Sequence, residues 1–246
     1  MSARGPLSAV AIKLIDVVER CLAFVRNRLA PRDKGDIESN IEWNRHSWGE
    51  LDRWEGAHQY GTRWDAGNPQ PNYEAAEIAD QYLAPYLPAP YGLTILELAP
   101  GAGRFTAELV RHADTLVVVD MNEACLTLCR ERFKYYRNME FVLNDGTSCA
   151  DVPRKEYDLI ASFDSMVHMS PPVIERYVEQ FADLVKPGGI LWLDHSAKGQ
   201  KQSGHRSSMT DREMRACAER FGLEVVAQPL RNDHDCISVL RRPQSA

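Results

Sequence analysis

The chain has 246 residues and a formal net charge of −6, a size that fits one generous α/β domain or one domain with an elaboration. The acidic balance disfavours a general nucleic-acid binder, which would show a basic face, so we expect no nucleic-acid partner. The six cysteines form no C-x-x-C pair. This disfavours a structural zinc site and favours a reduced, cytoplasmic protein.

Residues 7–29 read LSAVAIKLIDVVERCLAFVRNRL, with apolar residues at helical spacing. Charged residues such as Lys13, Asp16 and Glu19 interrupt this run, so we expect an amphipathic helix and no stable membrane insertion. Its apolar face can pack on its own domain, on a sister subunit or on a membrane surface. We favour packing on protein and expect a homo-oligomer such as a dimer.

Residues 31–72 contain four of the five tryptophans, few aliphatic residues and no clean period, so no conventional core helix is predicted there. Aromatic rings among polar groups suit a lid or ligand-facing surface, because a flat ring covers the apolar face of a sugar or base. The alternative is a wrapping segment whose tryptophans pack on the main domain. We therefore predict a helix and Trp-rich lid or oligomerisation segment over 1–72, followed by the main domain over 73–246.

From residue 73 onward, short apolar strands alternate with amphipathic helices. The predicted helices are YEAAEIADQYLAPYL, GRFTAELVRHA, NEACLTLCRERFKYY, PPVIERYVEQFADLV and TDREMRACAERF, and the predicted strands are LTILEL, TLVVVD, MEFVLND, EYDLIASF, GGILWLDHS, GLEVVAQPL and DCISVLRR. This alternation predicts a mainly parallel sheet covered by helices on both faces, with the last two strands paired as an antiparallel hairpin. Ligands bind outside the carboxyl ends of the strands in such sheets.

The segment ILELAPGAGRF joins the first strand to the first helix of this domain. Gly101 and Gly103 permit a tight turn and a close backbone approach, and the helix start offers N–H groups. Asp120 ends the next strand, near the spacing of an acid that binds a ribose hydroxyl, so a nucleoside cofactor is predicted. A dinucleotide fingerprint would have a third glycine where Thr106 stands. Glu97 instead suits a cofactor with a cationic end, such as S-adenosylmethionine.

These motifs resemble those of the class I S-adenosylmethionine-dependent methyltransferases. ELAPGAG is similar to their motif I, VVVD to their ribose-binding acid, NDG at 144–146 to the acid that reaches the adenine amino group, and KPGGILWL to the turn before strand five. The resemblance covers roughly 73–246 and implies a Rossmann-like fold with a seven-stranded, mostly parallel sheet and an antiparallel last strand. The cofactor contacts that it implies are Glu97, Gly101, Gly103, Asp120, Met121, Asp145, Gly146 and Phe163.

The stretch SFDSMVHMS at 162–170 follows the fourth strand, where the transferred methyl group should lie. An imidazole can act as general base near neutral pH, so His168 is the predicted base, assisted by Asp164. The alternative is a histidine packed at a helix start. The stretch also departs from the N/D-P-P-Y motif of many amino-group methylating enzymes, which favours an oxygen acceptor.

A second pattern concerns a metal ion. Asp164 follows the fourth strand, and Asp194 and His195 end the fifth. This resembles the metal-dependent O-methyltransferases of the catechol type, which have Asp at the first position and Asp-Asn at the second. The resemblance implies Mg²⁺ held by Asp164 and Asp194, with His195 in place of an oxygen ligand of the kind that Mg²⁺ prefers. Without a metal, His168 or His195 would act as the base alone.

The acceptor is suggested by a further resemblance. The residues after the fourth and fifth strands, the closing DCISVLRRP and the Trp-rich segment over 48–64 resemble sugar O-methyltransferases of polysaccharide, O-antigen and glycosylated-antibiotic pathways, including enzymes that act on methylated mannosides. This implies a sugar hydroxyl as acceptor, and the residues expected to line its cleft are Trp48, Tyr60, Trp64, His205 and Arg206. The alternatives are a phenolic or other small-molecule acceptor, a nicotinamide-dependent oxidoreductase, which Thr106 and Glu97 disfavour, and a non-catalytic partner protein.

Overall fold

The computed structural model of the chain describes residues 35–49, 73–199 and 206–244. Several sequence predictions lie outside these ranges: the amphipathic helix over 7–29 and the acceptor residues Tyr60, Trp64 and His205.

The centre of the molecule is a seven-stranded sheet with the order β3-β2-β1-β4-β5-β7-β6. The strands are β1 (Leu93–Leu98), β2 (Ala113–Asp120), β3 (Met139–Leu143), β4 (Tyr157–Ser162), β5 (Val185–Ser196), β6 (Glu224–Ala227) and β7 (Asp235–Arg241). The first five strands pair in parallel, whereas β7 is antiparallel to both β5 and β6. The predicted fold class and the antiparallel closing hairpin are confirmed.

Two of the described α-helices precede the first strand in the chain, and four follow it. The α-helices of the described residues are α1 (Ile37–Trp48), α2 (Tyr73–Ile78), α3 (Thr106–Leu109), α4 (Glu123–Arg132), α5 (Pro171–Leu184) and α6 (Asp211–Arg220). The predicted capping box between Thr210 and Glu213 starts α6, and two prolines start α5, where their missing N–H groups are not needed. None of the helices in the described ranges is long and apolar enough to cross a membrane.

Two helices are shorter than their sequence patterns predict. The pattern over 73–87 forms α2, then a π-helix over Ala79–Leu83 and a 3₁₀-helix over Ala84–Tyr86. Pro85 explains part of this change, because it has no N–H group to donate to the preceding turn. Similarly, α3 spans only Thr106–Leu109, because turns occupy the rest of the pattern before the chain enters β2.

The core consists of two apolar clusters on opposite faces of the sheet. Neighbouring strand residues divide between them, so that Val117 belongs to the first cluster and Leu116 and Val118 belong to the second. This division follows from the alternation of side chains along a strand. Because both faces are covered, these residues are fully buried, as their continuous apolar run predicts.

Helix α1 shows that part of the Trp-rich segment, for which no conventional core helix was predicted, forms a regular helix. Its N-cap is Asp36, whose side chain accepts a hydrogen bond from the Ser39 N–H group at 2.8 Å. The buried side chains include the polar residues Asn40 and Asn44 beside Trp43. The face that packs on the domain mixes these polar residues with Ile37 and Ile41, so the sequence shows no continuous apolar period.

Candidate active site

A cavity lies outside the carboxyl ends of β1, β2 and β4, where the fold class predicts a ligand. Its volume is about 1180 Å³ including its open mouth. The residues that line it come from the glycine loop, the end of β2, the turn after β4 and helix α1. From the sequence predictions, the lining includes Trp48, Glu97, Gly101, Asp120, Met121, Gly146, Phe163, Asp164 and His168.

The two glycines of the loop have different surroundings. Both have positive φ, 56° at Gly101 and 81° at Gly103, a conformation that glycine adopts without steric cost. Gly101 lines the cavity. A Cβ atom at Gly103 would lie 2.6 Å from Cε2 of Phe133 and 3.3 Å from Sγ of Cys129. Gly103 therefore lets the loop pack closely on α4, and among the described residues it is not part of the cavity lining.

The substitution Gly103→Ala is expected to lower the free energy of unfolding by about 2–4 kcal/mol, because it adds a positive-φ penalty to a clash with a buried ring. The control is Gly92→Ala, since Gly92 also has positive φ, 77°, but no atom within 4 Å of its Cβ position. Urea unfolding of both variants separates the two contributions. An equal loss of unfolding free energy in the two variants would show that the Phe133 ring moves aside without destabilising the protein.

Two buried carboxyl groups stand beside the loop. Glu97 at the end of β1 is 1% exposed and accepts a hydrogen bond from Thr106 Oγ1 at 2.6 Å. Burial raises its pKa to about 8. Asp120 accepts from the N–H group of Asn122 at 2.8 Å, and burial raises its pKa to about 7. Raised pKa values of this kind concentrate at functional sites, because the ionised forms gain most when a ligand supplies a cation or a hydrogen-bond donor.

His168 also lines the cavity. It ends the 3₁₀-helix Met166–His168 and is half-buried. Its ring centroid lies 5.1 Å from that of Trp48 and 6.2 Å from that of Trp43. An imidazole and an indole therefore face the same cavity as the glycine loop and the two acids.

Asp164 stands between His168 and two arginines. Its backbone has positive φ, 52°. Its carboxylate accepts from Arg104 Nη2 at 2.5 Å and from Arg231 Nη2 at 3.3 Å. Burial alone would raise the pKa of Asp164, but the guanidinium groups outweigh burial and lower it. The side chain is thus held as a carboxylate at the cavity wall.

The residues around this cavity are similar to those of known proteins. Residues 95–189 match a protein-family model described as "Methyltransferase domain". This part of the chain is therefore similar to a methyltransferase domain, and its sheet has the Rossmann-like class I methyltransferase fold. The match begins inside β1 and ends inside β5, so it includes the glycine loop, the end of β2 and the turn that carries His168.

A curated relative of the methyltransferase domain is phosphoethanolamine N-methyltransferase 3 of Arabidopsis thaliana. It is 30% identical over 122 residues, which cover 49% of this chain and 25% of that protein. The matched segment therefore spans about a quarter of the relative's length.

Solved structures match over more of the chain. The N-methyltransferase NodS of Bradyrhizobium japonicum WM9, in complex with S-adenosyl-L-homocysteine, has a TM-score of 0.60 at 18% identity and covers 76% of this chain and 99% of its own. Magnesium protoporphyrin IX methyltransferase of Synechocystis PCC 6803, with bound S-adenosylmethionine, has a TM-score of 0.62 at 15% identity and covers 85% and 99%. These likenesses show the methyltransferase fold.

The predicted adenine contact, Asp145, lies in the turn after β3. Asp145 is exposed, and its carboxylate accepts from the N–H groups of Thr147 and Ser148, both at 2.7 Å. The carboxylate thus closes an Asx-type turn on its own loop. Among the described residues, the lining of the cavity contains Asn144 and Gly146 but not Asp145.

The predicted magnesium site is corrected. Arg231, from the turn between β6 and β7, donates to both predicted ligands: its Nη2 lies 3.3 Å from Asp164, and its Nε lies 3.2 Å from Asp194. Its Nη2 also lies 2.9 Å from Asp235. A guanidinium group thus takes the position between the acids and would repel a divalent cation. Across the described ranges, no group of three or more His, Cys, Asp or Glu side chains is arranged to hold a metal ion.

His195 is corrected as a candidate base. Strand β5 continues to Ser196, and His195 pairs with Cys236 of β7 and is fully buried. Its Nδ1 lies 2.8 Å from the Ser196 carbonyl and must donate, so its Nε2, 2.7 Å from Ser238 Oγ, is the acceptor. Burial lowers its pKa to about 4. With both ring nitrogens engaged inside the sheet, His195 cannot accept a proton from a ligand in the cavity.

Of the predicted acceptor residues that the structure describes, Trp48 lines the cavity and Arg206 does not. The Arg206 guanidinium forms an ion pair with the buried carboxylate of Asp235, which also binds Arg231. Arg104, Arg231, Asn40, Asn44 and Asn144 were not predicted as site residues. Two of these carried a sequence signal: Arg104 follows the second glycine of the loop, and Asn144 begins the NDG motif.

Proposed function

We propose that this protein is an S-adenosylmethionine-dependent O-methyltransferase that methylates a hydroxyl group of a sugar or short oligosaccharide, with His168 as the general base. The observation that carries the proposal is a cavity that joins the glycine loop and Asp120 to the His168 imidazole and the Trp48 indole. One half of this cavity suits a nucleoside cofactor, and the other half suits a hydroxylated acceptor. The homo-oligomer expected from the sequence remains part of the proposal.

The cofactor half fits S-adenosylmethionine through three features. The positive φ at Gly101 allows a close backbone approach, Asp120 offers a carboxylate to a ribose, and Glu97 offers a carboxylate to a cationic group. When bound, this cofactor supplies the electrophilic methyl group. The protein's own contribution is to bind and orient, since aligning the acceptor with the methyl group removes much of the barrier.

The acceptor half contains the groups that a hydroxyl needs. The His168 imidazole can take the hydroxyl proton as the oxygen attacks, and the Trp48 ring can cover an apolar sugar face. The Asp164 carboxylate, held ionised by Arg104 and Arg231, can accept a hydrogen bond from a second hydroxyl. The proposed transfer uses no metal ion, because His168 takes the hydroxyl proton and Arg231 occupies the position between Asp164 and Asp194.

A second candidate is transfer to nitrogen. The curated relative is named for the N-methylation of phosphoethanolamine, so amine acceptors belong in any test. A phenolic or other small-molecule hydroxyl is a third class of acceptor for the same base. We favour oxygen because a neutral amine needs no base to attack, whereas the cavity wall presents an imidazole.

We expect label from methyl-labelled S-adenosylmethionine to reach mono- or oligosaccharides, and to do so equally with added magnesium and with EDTA. The reason is that both predicted metal ligands already form ion pairs with Arg231, which lies between them. The measurement is an acceptor screen by scintillation counting over sugars, phenols, ethanolamine and phosphoethanolamine, each in both conditions.

The control is the same screen with excess S-adenosylhomocysteine, which should compete for the cofactor site. Transfer to amines alone would replace the proposed function with N-methylation. A strict requirement for magnesium would return Asp164 and Asp194 to the role of metal ligands.

A further inference from the structure

The turn that carries His168 is tied to several separate segments of the chain. Ser165 Oγ donates to the Ala99 carbonyl in the glycine loop at 2.8 Å. The N–H group of Ser207 donates to the Val167 carbonyl at 2.7 Å. These bonds fix the start and the middle of the turn to the main domain.

The end of the turn is held by helix α1 instead. The side-chain amides of Asn40 and Asn44 both donate to the main-chain carbonyl of His168, each at 3.0 Å. The Asn40 Oδ1 atom also accepts from the N–H group of Ser170 at 2.9 Å. One asparagine therefore bridges the backbone on both sides of Met169, and a second one reinforces the same carbonyl.

Burial makes these bonds specific. Asn40 is 1% exposed and Asn44 is 6% exposed. A buried amide that loses a partner is costly, since water cannot replace it. The same helix also places the rings of Trp43 and Trp48 beside the His168 ring. Helix α1 thus contacts His168 through both its backbone and its side chain.

We propose that Asn40 and Asn44 are positioning residues for His168, so that helix α1, which lies outside the matched 95–189 domain, holds the base in its catalytic orientation. The inference rests on the proposed function of His168. Both asparagines line the cavity, but both side-chain amides donate to the turn, and their effect on transfer acts through His168. The Asn44 amide also donates to the Asn40 carbonyl at 3.0 Å, which links the two residues within α1.

The test uses Asn44→Asp and Asn40→Asp in the full-length chain. Each change keeps the shape of the side chain, removes the N–H donor and places an oxygen against the His168 carbonyl. Asn40→Asp still accepts from the Ser170 N–H group. We expect each variant to lower kcat by at least about tenfold, because small displacements of a catalytic group are costly. The acceptor KM and the S-adenosylhomocysteine Kd should stay within about threefold of wild type.

The two losses should not multiply. Both amides donate to one carbonyl, so the double variant should lose less than the product of the single losses. The matched control is Glu42→Gln, an isosteric change on the exposed face of the same helix, which should leave kcat unchanged. If the aspartate variants unfold in a thermal melt, Asn44→Ala and Asn40→Ala remove the donors without adding charge.

A spectroscopic readout separates this inference from the proposed function. The His168 ring resonances, assigned by their loss in His168→Gln, should move in both aspartate variants and not in Glu42→Gln. If the wild-type protein transfers methyl groups to no hydroxyl acceptor, the proposed function fails. The ring resonances would still test whether Asn40 and Asn44 position His168. Unmoved resonances, a normal kcat, or parallel losses in kcat and cofactor affinity would overturn the inference.

Discussion

The substitution His168→Gln is expected to lower kcat for methyl transfer to a hydroxyl at least about a hundredfold, because general-base catalysis contributes a factor of about 10² to 10⁴. Glutamine retains a polar, planar group beside Trp43 and Trp48 but cannot take a proton at neutral pH. The cofactor half of the cavity is formed by other elements. The Kd for S-adenosylhomocysteine should therefore stay within about threefold of the wild-type value.

The measurement is single-turnover transfer from labelled cofactor, beside calorimetric titration with S-adenosylhomocysteine. His234→Gln is the matched control. His234 is an exposed imidazole on the turn before β7, so this substitution makes the same chemical change away from the cavity. Near-normal turnover in His168→Gln would remove this residue as the base. A large loss of cofactor affinity in the same variant would instead give it a binding role.

His168 and His195 were both predicted from their positions near the ends of strands, but only His168 lines the cavity. Both follow apolar strand patterns in the sequence, and both were candidates for the base. The chain turns after Ser162, so His168 reaches the cavity, whereas β5 runs on to Ser196 and keeps His195 inside the sheet. What decides the difference is pairing with β7, a contact more than forty residues along the chain that the local pattern of β5 does not contain.

The contacts of Asp145 and Arg231 also differ from what their local sequence indicates. The NDG motif located the correct loop, but a turn closed by Asp145 itself places its neighbours Asn144 and Gly146 at the cavity. Arg231 had no local signal at all, because its role follows from a hairpin turn that reaches Asp164 and Asp194 only in the folded sheet. The fold was predictable because seven apolar runs follow one another along the chain and most of them are separated by a helical pattern. The polar contacts depended on tertiary neighbours.

Helix α1 was missed for a related reason. Hydrophobic periodicity finds helices that bury apolar faces, and α1 buries Ser39, Asn40 and Asn44 with Trp43. Buried polar residues on one face of a helix indicate that this face packs on main-chain polar groups of a neighbouring segment. Here that partner is the carbonyl of His168, so the feature that hid the helix from sequence analysis is the one that links it to the site.

The substitution Glu97→Gln is expected to stabilise the protein at pH 8 and to weaken cofactor binding. The carboxyl group has an ordinary pKa of 4.5 in the unfolded chain and a pKa of about 8 in the folded protein, chiefly because it is buried. Between these values the unfolded chain releases a proton that the folded protein retains, so the wild-type free energy of unfolding falls as pH rises. Glutamine does not titrate. The variant should exceed wild type by a few kcal/mol, roughly 2–4, at pH 8 and by under about 1 kcal/mol at pH 5.

Urea unfolding at pH 5 and pH 8 measures this difference, with the exposed Glu156→Gln as the control for loss of a carboxylate. Glu97→Gln should keep the part of the pH dependence that comes from Asp120 and Asp194, whose pKa values burial also raises. The same variant should raise the Kd for S-adenosylhomocysteine at least about tenfold, because the cationic amino group loses its anionic partner. An equal gain in the free energy of unfolding at pH 5 and pH 8 would contradict the raised pKa of Glu97. A stability gain joined to a binding loss would show that this buried acid is retained for the ligand, at a standing cost to the fold.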